Sequence, residues 1–213
     1  MAYNILGISG SPVKKGNVET LLNRAIESLP AKNIDHEIVH LSGLKIRDCI
    51  HCNFCLTRQT PGKYCAIKDD AQAIFEKAEA ADIVVLASPV YFMRTSARMA
   101  ALIDRFRVFV FGNLTAGHMK NKIGVSMAAA WLRHGGVETT HLMHILTFLS
   151  LEMIPPSVHQ GVSPLGASVL TSINGSGNFD PAVSLGIEND EPGLQSARLI
   201  LRRAMELAKL MHK

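Results

Sequence analysis

Short apolar runs alternating with stretches of helical period limit what this chain can fold into more than any other feature. Asp82 to Ala87, with Ile83-Val84-Val85-Leu86 inside it, is stopped by Ser88-Pro89. A run so short and rich in β-branched residues reads as a buried central strand. Tyr3 to Ser9 reads the same way and enters the tight loop Ser9-Gly10-Ser11-Pro12. Ile34 to Leu41, made more polar by His36 and His40, reads as a second strand. Lys122 to Ala128 reads as a fourth, and Leu151 to Ile154, ended by Pro155-Pro156, as a fifth. Between them the period changes. Val18, Leu21, Leu22, Ala25, Ile26 and Leu29 mark a helix from Asn17 with Pro30 behind it. Asp69 and Asp70 stand where an N-cap belongs, ahead of a helix through Ala81. Further helices are expected over Ser96 to Val110, Glu138 to Leu151 and Gly193 to His212.

Strands alternating with helices imply an α/β fold, a parallel sheet covered on both faces. Five strands at this spacing suit, by analogy, a flavodoxin-like doubly wound five-stranded parallel sheet, whose ligand crevice lies at the carboxyl ends of the strands. A length of 213 residues fits one domain over 1–213. Residues 157–192, rich in Gly, Ser and Pro, form either a functional segment or an element that periodicity does not reveal.

With 47% hydrophobic and 19% charged residues the composition is that of an ordinary globular protein. No secretory start and no run near the roughly 18 apolar residues of a membrane span is present, so a cytoplasmic, non-membrane protein is expected. A formal charge of +4 without a basic block argues against a nucleic-acid partner. All four cysteines, Cys49, Cys52, Cys55 and Cys65, fall within seventeen positions. In a reducing compartment such clustering means metal or redox work rather than disulfides. Structural zinc, a redox dithiol and an iron–sulfur cluster all compete here. Three thiols in seven residues, with a fourth beyond, favour the cluster.

The loop Ser9-Gly10-Ser11-Pro12-Val13-Lys14-Lys15-Gly16-Asn17 joins the first strand to the first helix and offers amides, hydroxyls and a helix N-terminus to an anion. It has neither the triphosphate-loop nor the dinucleotide spacing. This string resembles the flavin-phosphate loop of the NADPH-dependent FMN reductase family, which has a flavodoxin-like fold. The resemblance implies that Ser9, Ser11, Pro12, Lys15, Asn17 and Val18 surround the FMN phosphate. Val18 stands where the family commonly has Thr. It continues through Ser88-Pro89-Val90-Tyr91-Phe92 and Leu102-Ile103-Asp104-Arg105, and implies that Pro89, Val90, Tyr91 and Phe92 line the ribityl chain and ring. Taken without that likeness, Tyr91 and Phe92 are equally core aromatics at a strand end. A third loop, from Ser126 and Ala128 to Gly135-Gly136, resembles the segment that closes the other side of the ring. Trp131 and Arg133 are flavin, donor, surface or interface residues, and His134 and His141 read as ordinary polar positions.

The triple cysteine run narrows the resemblance to the iron–sulfur flavoproteins, which carry a cysteine-rich insertion after the second strand, here 45–68. That implies a four-iron four-sulfur (4Fe-4S) cluster on Cys49, Cys52, Cys55 and Cys65. The nine-residue gap before Cys65 is longer than the family's, with Arg58-Gln59-Thr60-Pro61-Gly62 as a turn to absorb it. Lys45, Arg47, Arg58, Lys63 and Lys68 flank the motif and would favour an anionic cluster. The function implied is electron transfer between FMN and the cluster, with a ferredoxin-like carrier or a small-molecule acceptor as partner. NAD(P)H is a candidate donor, and a homo-oligomer, dimer or tetramer, is expected. Two alternatives stand beside it: an NAD(P)H-dependent FMN or quinone reductase without a cluster, and a flavodoxin-like binding protein with structural zinc. No acid–base residues are assigned.

Overall fold

The computed structural model describes residues 2–30 and 32–211. Five strands, β1 (Tyr3–Ser9), β2 (Ile34–His40), β3 (Ile83–Pro89), β4 (Ile123–Ala130) and β5 (Ala167–Leu170), form one sheet in the order β2-β1-β3-β4-β5. Every pairing is parallel. This is the doubly wound flavodoxin-like order, and the four cysteines follow β2 as an insertion. All seven residues of the central strand β3 are buried, as its unbroken apolar run requires. The outer strand β2 keeps three consecutive residues exposed, which accounts for its polar character.

Helices α1 (Asn17–Glu27) and α7 (Glu191–Met211) cover one face, where Ile5, Val85, Val125 and Val169 meet Leu21, Leu22, Ala197 and Leu201. The opposite face packs Leu6, Ile8, Val84 and Leu86 against α3 (Ala71–Ala80), α4 (Ala97–Arg105), α5 (Arg107–Phe111) and Phe148 of α6 (Val137–Ser150). The one-turn helix α2 (Phe54–Thr57) lies within the cysteine segment. Among the described residues no helix is long and apolar enough to cross a membrane.

Several expectations change. The fifth strand is Ala167–Leu170, not Leu151 to Ile154. Ile154 makes one parallel bridge to Ile123, at the start of β4. Pro155 and Pro156 follow, and without N–H groups they cannot continue a ladder. The chain departs over 155–166 and resumes pairing at Ala167, opposite Met127. Segment 157–192 therefore contains a sheet strand and two short 3₁₀ turns, Ile173–Gly175 and Gly186–Asn189. The helix expected over Ser96 to Val110 is two, joined at Phe106, whose ψ of −7° interrupts the helical run. Asp70 occupies the N-cap of α3, but its carboxylate accepts the Lys45 N–H at 2.6 Å. The capping acceptor is Asp69, which takes the Ala71 N–H at 3.2 Å. Helix α7 starts at Glu191, and His212, expected at its end, lies outside the described residues.

Gly124 shows how closely the second face is packed. A Cβ there would lie 2.4 Å from the Phe148 ring, and ring and strand are both buried. Gly124→Ala should therefore cost about 1–3 kcal/mol by overpacking. Urea unfolding followed by circular dichroism should show a lower midpoint with an unchanged slope.

Candidate functional site

Three loops leave the carboxyl ends of β1, β3 and β4 and meet one another. In the first, Gly10 donates its N–H to the Ala87 carbonyl (2.8 Å) and accepts from the Ser96 hydroxyl (2.8 Å). A Cβ at Gly10 would sit 2.8 Å from that hydroxyl. Ser9 and Ser11 are buried. The Ser11 hydroxyl bonds both the N–H and the carbonyl of Val13 (3.1 and 3.2 Å). Pro12 to Lys15 are exposed. Gly16 caps α1 without a side-chain acceptor, so first-turn amides remain free to bind an anion. The Glu19 carboxylate takes one donor nearby, the Lys15 N–H.

Two residues expected around the phosphate are committed elsewhere. The Asn17 Oδ1 accepts the Ile187 N–H at 3.1 Å, tying the loop to a 3₁₀ turn 170 residues away. The Val18 side chain is buried in the core beneath α1, leaving only its backbone facing the loop.

The second loop is a tight turn. Tyr91 and Arg94 exchange backbone hydrogen bonds (2.9 and 3.2 Å) across Phe92 and Met93, both at positive φ (47° and 63°). That is the conformation of a type I′ turn, which non-glycine residues adopt only at a cost. Phe92 is 99% exposed, Met93 54% and Tyr91 44%, so the reading of Tyr91 and Phe92 as core aromatics is excluded. Val90 donates to the Ala129 carbonyl at 2.9 Å, joining this loop to β4.

The third loop packs against the second. At Gly136, with φ of 103°, a Cβ would fall 2.3 Å from the Met93 Cα, and Thr139 donates its hydroxyl to the Met93 carbonyl. Trp131, 63% exposed, meets Phe179 edge-to-face with centroids 5.0 Å apart. Arg133 donates to the Asn174 carbonyl at 3.1 Å. Segment 157–192 thus folds onto this loop. Between them lies a cavity of about 860 Å³, whose wall includes Asn17, Arg133, His134, Ser172 and Asp180.

Ser126 and Ala128 are not among the residues that line this cavity. Ala128 is buried with Ala130 and Val137. The Ser126 hydroxyl lies 2.8 Å from His141 Nδ1 and 2.9 Å from His144 Nδ1, and His144 Nε2 lies 3.1 Å from the Thr95 hydroxyl. All four residues are buried. Burial pushes His141 down to about 4, and burial with its neighbour His141 pushes His144 down to about 3. His141 is therefore no ordinary polar position but part of a buried, uncharged network.

The four cysteines, all free, line one small pocket with Arg105 and Arg107. His51 and Asn53, both at positive φ, wrap the backbone around Cys52, and the Asn53 side chain accepts from Arg107 at 2.7 Å. The nine residues before Cys65 are taken up locally. Thr60 and Lys63 exchange backbone hydrogen bonds (3.2 and 2.9 Å) around Pro61 and Gly62, the latter at φ 74°. Buried Gln59 anchors the base of this turn, donating to the Tyr64 carbonyl (3.1 Å) and accepting from the Leu114 N–H (2.9 Å). Burial pushes the Cys55 thiol up, with Arg107 acting against it and Cys65 and Cys49 adding to it. The cations that line the pocket are not those expected. Arg58 and Lys63 lie over the Phe54 ring, each at 5.2 Å. Among the described residues no three His, Cys, Asp or Glu side chains converge as ligands of a single ion.

Known proteins can be compared with this geometry. Residues 3–164 match the NADPH-dependent FMN reductase family. An iron–sulfur flavoprotein of Methanocaldococcus jannaschii is 33% identical over 98% of this chain and 99% of its own length. One from Archaeoglobus fulgidus is 31% identical over 97% of this chain and 98% of its own. Among solved structures, RosB with a bound riboflavin-phosphate derivative superimposes with a TM-score of 0.76 at 15% identity, covering 99% of this chain and 81% of that one. An NAD(P)H:quinone oxidoreductase from Methanothermobacter marburgensis gives 0.59 at 14% identity, covering 95% and 98%. At such identities the structures share the fold.

The buried histidines set an acid limit on stability. Unfolded, both titrate near 6.5, whereas folded they stay neutral down to about 4 and about 3. Between those values the unfolded chain binds protons that the folded chain refuses, so stability falls as pH drops below about 6.5. Each histidine contributes a slope of up to about 1.4 kcal/mol per pH unit in that window. Urea midpoints measured from pH 7 to 5 should fall, and His144→Gln should flatten the dependence while lowering the pH 7 value.

Proposed function

Because the chain belongs to the NADPH-dependent FMN reductase family, in its iron–sulfur flavoprotein branch, we propose that this flavin-dependent oxidoreductase pairs FMN with a 4Fe-4S cluster. The cluster is held by Cys49, Cys52, Cys55 and Cys65. The observation carrying this reading is that the chain's only thiols line one pocket, although the fourth follows a nine-residue excursion. Zinc has weaker support. Its ligand sulfurs, each about 2.3 Å from the ion, would have to converge on one point.

When bound, FMN exchanges electrons in pairs or singly and the cluster exchanges them singly, which is the redox chemistry the two groups supply. The chain's part is to hold and shield. Ser9, Ser11 and Lys15, with the free amides at the start of α1, hold the flavin phosphate. Asn17 acts by fixing the loop through Ile187 and Val18 through its backbone. Pro89, Val90, Tyr91 and Phe92 flank the ribityl chain and ring, with Gly136 letting the third loop close against Met93. The residues fit that role because the capping acceptor that would fill the α1 N-terminus is missing from Gly16.

The electron partner on this reading is a ferredoxin-like carrier or a small acceptor. The cavity bearing Arg133 and His134 favours a second reading, direct reduction of an organic acceptor such as a quinone with NAD(P)H as donor. The exposed Phe92 on its rigid turn, beside Tyr91 and Met93, supports self-association into a dimer or tetramer.

Anaerobically purified protein should contain about four irons per chain and show broad absorption under the flavin bands. Cys52→Ala, at an exposed position, should lose the iron and keep the FMN. A flavin spectrum without iron in the wild type would reject the cluster and leave the organic-acceptor reading.

A further inference from the structure

Arg105 is the largest fully buried side chain of the described residues, and its guanidinium is only partly satisfied. Nη1 donates to Asp69 Oδ2 (2.9 Å) and to the Arg47 carbonyl (3.0 Å), and Nη2 donates to Asp69 Oδ1 (3.2 Å). The planar fork is thereby locked, and the Phe75 ring lies 5.6 Å from its carbon. Of the donors left over, Nε–H is buried on a nitrogen without any acceptor. Such a donor on a charged group is among the costlier things a protein can bury. It cannot turn away, because the fork that pins Nη1 and Nη2 also fixes Nε.

The side chain borders the pocket lined by all four cysteines. A neutral thiol is a weak acceptor, whereas a thiolate accepts a charge-assisted hydrogen bond.

We propose that Arg105 is the positioning residue for the fourth cluster ligand: its Nε–H donates to the Cys65 sulfur once that sulfur is a metal-bound thiolate. Cys65 stands behind a nine-residue excursion, so local backbone alone does not aim its side chain as it does within the Cys49–Cys55 run. Arg105 supplies that aim from α4, and Asp69, four residues past Cys65 and at the start of α3, supplies it to Arg105. The buried donor is satisfied only in the loaded protein. The ligand class recognised is a thiolate-bound, anionic metal cluster. Lysine keeps the charge but has neither the fork nor the Nε donor, so Arg105→Lys separates position from charge.

This inference rests on the cluster reading, and the test distinguishes the two. Wild type, Arg105→Lys, Cys65→Ala and the double variant are purified anaerobically. For each, iron per chain, FMN per chain, the rate of iron loss to a chelator and the urea midpoint of the iron-free form are measured. Arg105→Lys should retain FMN and either drop from about four irons to about three or lose iron at least tenfold faster. In the Cys65→Ala background the same substitution should change iron loss less than twofold, because the acceptor has gone. A lower iron-free midpoint with unchanged iron loss, or an equal effect in both backgrounds, would make Arg105 a structural residue only and overturn the proposal. Wild type without iron would overturn the cluster reading and this inference together. Should Arg105→Lys fail to fold, wild-type protein carrying ¹⁵N-arginine decides. Iron loading should shift or broaden one buried Nε–H resonance, and an unmoved set of resonances overturns the pairing.

Discussion

The burial of β3 along its whole length is the constraint on which the rest of the molecule depends. A strand covered on both faces can release its chain only at its own end, and β3 does so between the carboxyl ends of β1 and β4. Two serines turn that position into a site. The Ser88 hydroxyl donates to the Pro89 carbonyl (2.8 Å) and accepts the Ser96 N–H (2.9 Å). The Ser96 hydroxyl donates to the Gly10 carbonyl (2.8 Å) and caps α4 through the Met99 N–H (3.3 Å). The loop after β1, the Tyr91–Arg94 turn and the start of α4 are therefore one hydrogen-bonded unit. Moving any of them would strand buried polar groups.

Helix α4 carries that rigidity across the molecule. It begins at the Ser96 cap beside the loops that follow β1 and β3 and ends at Arg105 beside the cysteine pocket. Its nine residues span about 13 Å. Two sites from distant parts of the sequence are thus held at a fixed separation by one short, regular element. The buried Arg105–Asp69 pair joins the end of this helix to the start of α3. An ion pair withdrawn from water adds little net stability but is costly to break, so it locks one arrangement of helix and cysteine loop.

What could be read from the residues follows period and chemistry at short range. The alternation of strand and helix was legible, as were the tight loop after the first strand, the end of the central strand at Ser88-Pro89 and the cysteine triplet. The fifth strand was not, because Pro155-Pro156 ended the visible pattern and Ala167–Leu170 is only four residues long. Ser126 was misplaced for a similar reason. A polar residue near a strand end resembles a crevice residue until the partners 15 and 18 positions away are known. The cations around the cysteines were chosen by proximity in sequence, yet Arg105 and Arg107 reach the pocket from helices on another part of the chain.

By itself the sequence determined that this is a parallel α/β sheet with a glycine- and serine-bearing first loop and a thiol cluster after the second strand. Those features depend on residue type and on periods of two to four residues, which the chain carries locally. Tertiary structure decided the remainder: the place of the last strand at Ala167–Leu170, the closure of residues 157–192 over the third loop, the commitment of Asn17 to Ile187, and the meeting of Arg105 and Cys65 in one pocket. Each of these depends on a contact between residues distant in the chain. Such contacts are set by how the two faces of the sheet are covered and by where buried donors find acceptors, and neither leaves a mark in the local order of residues.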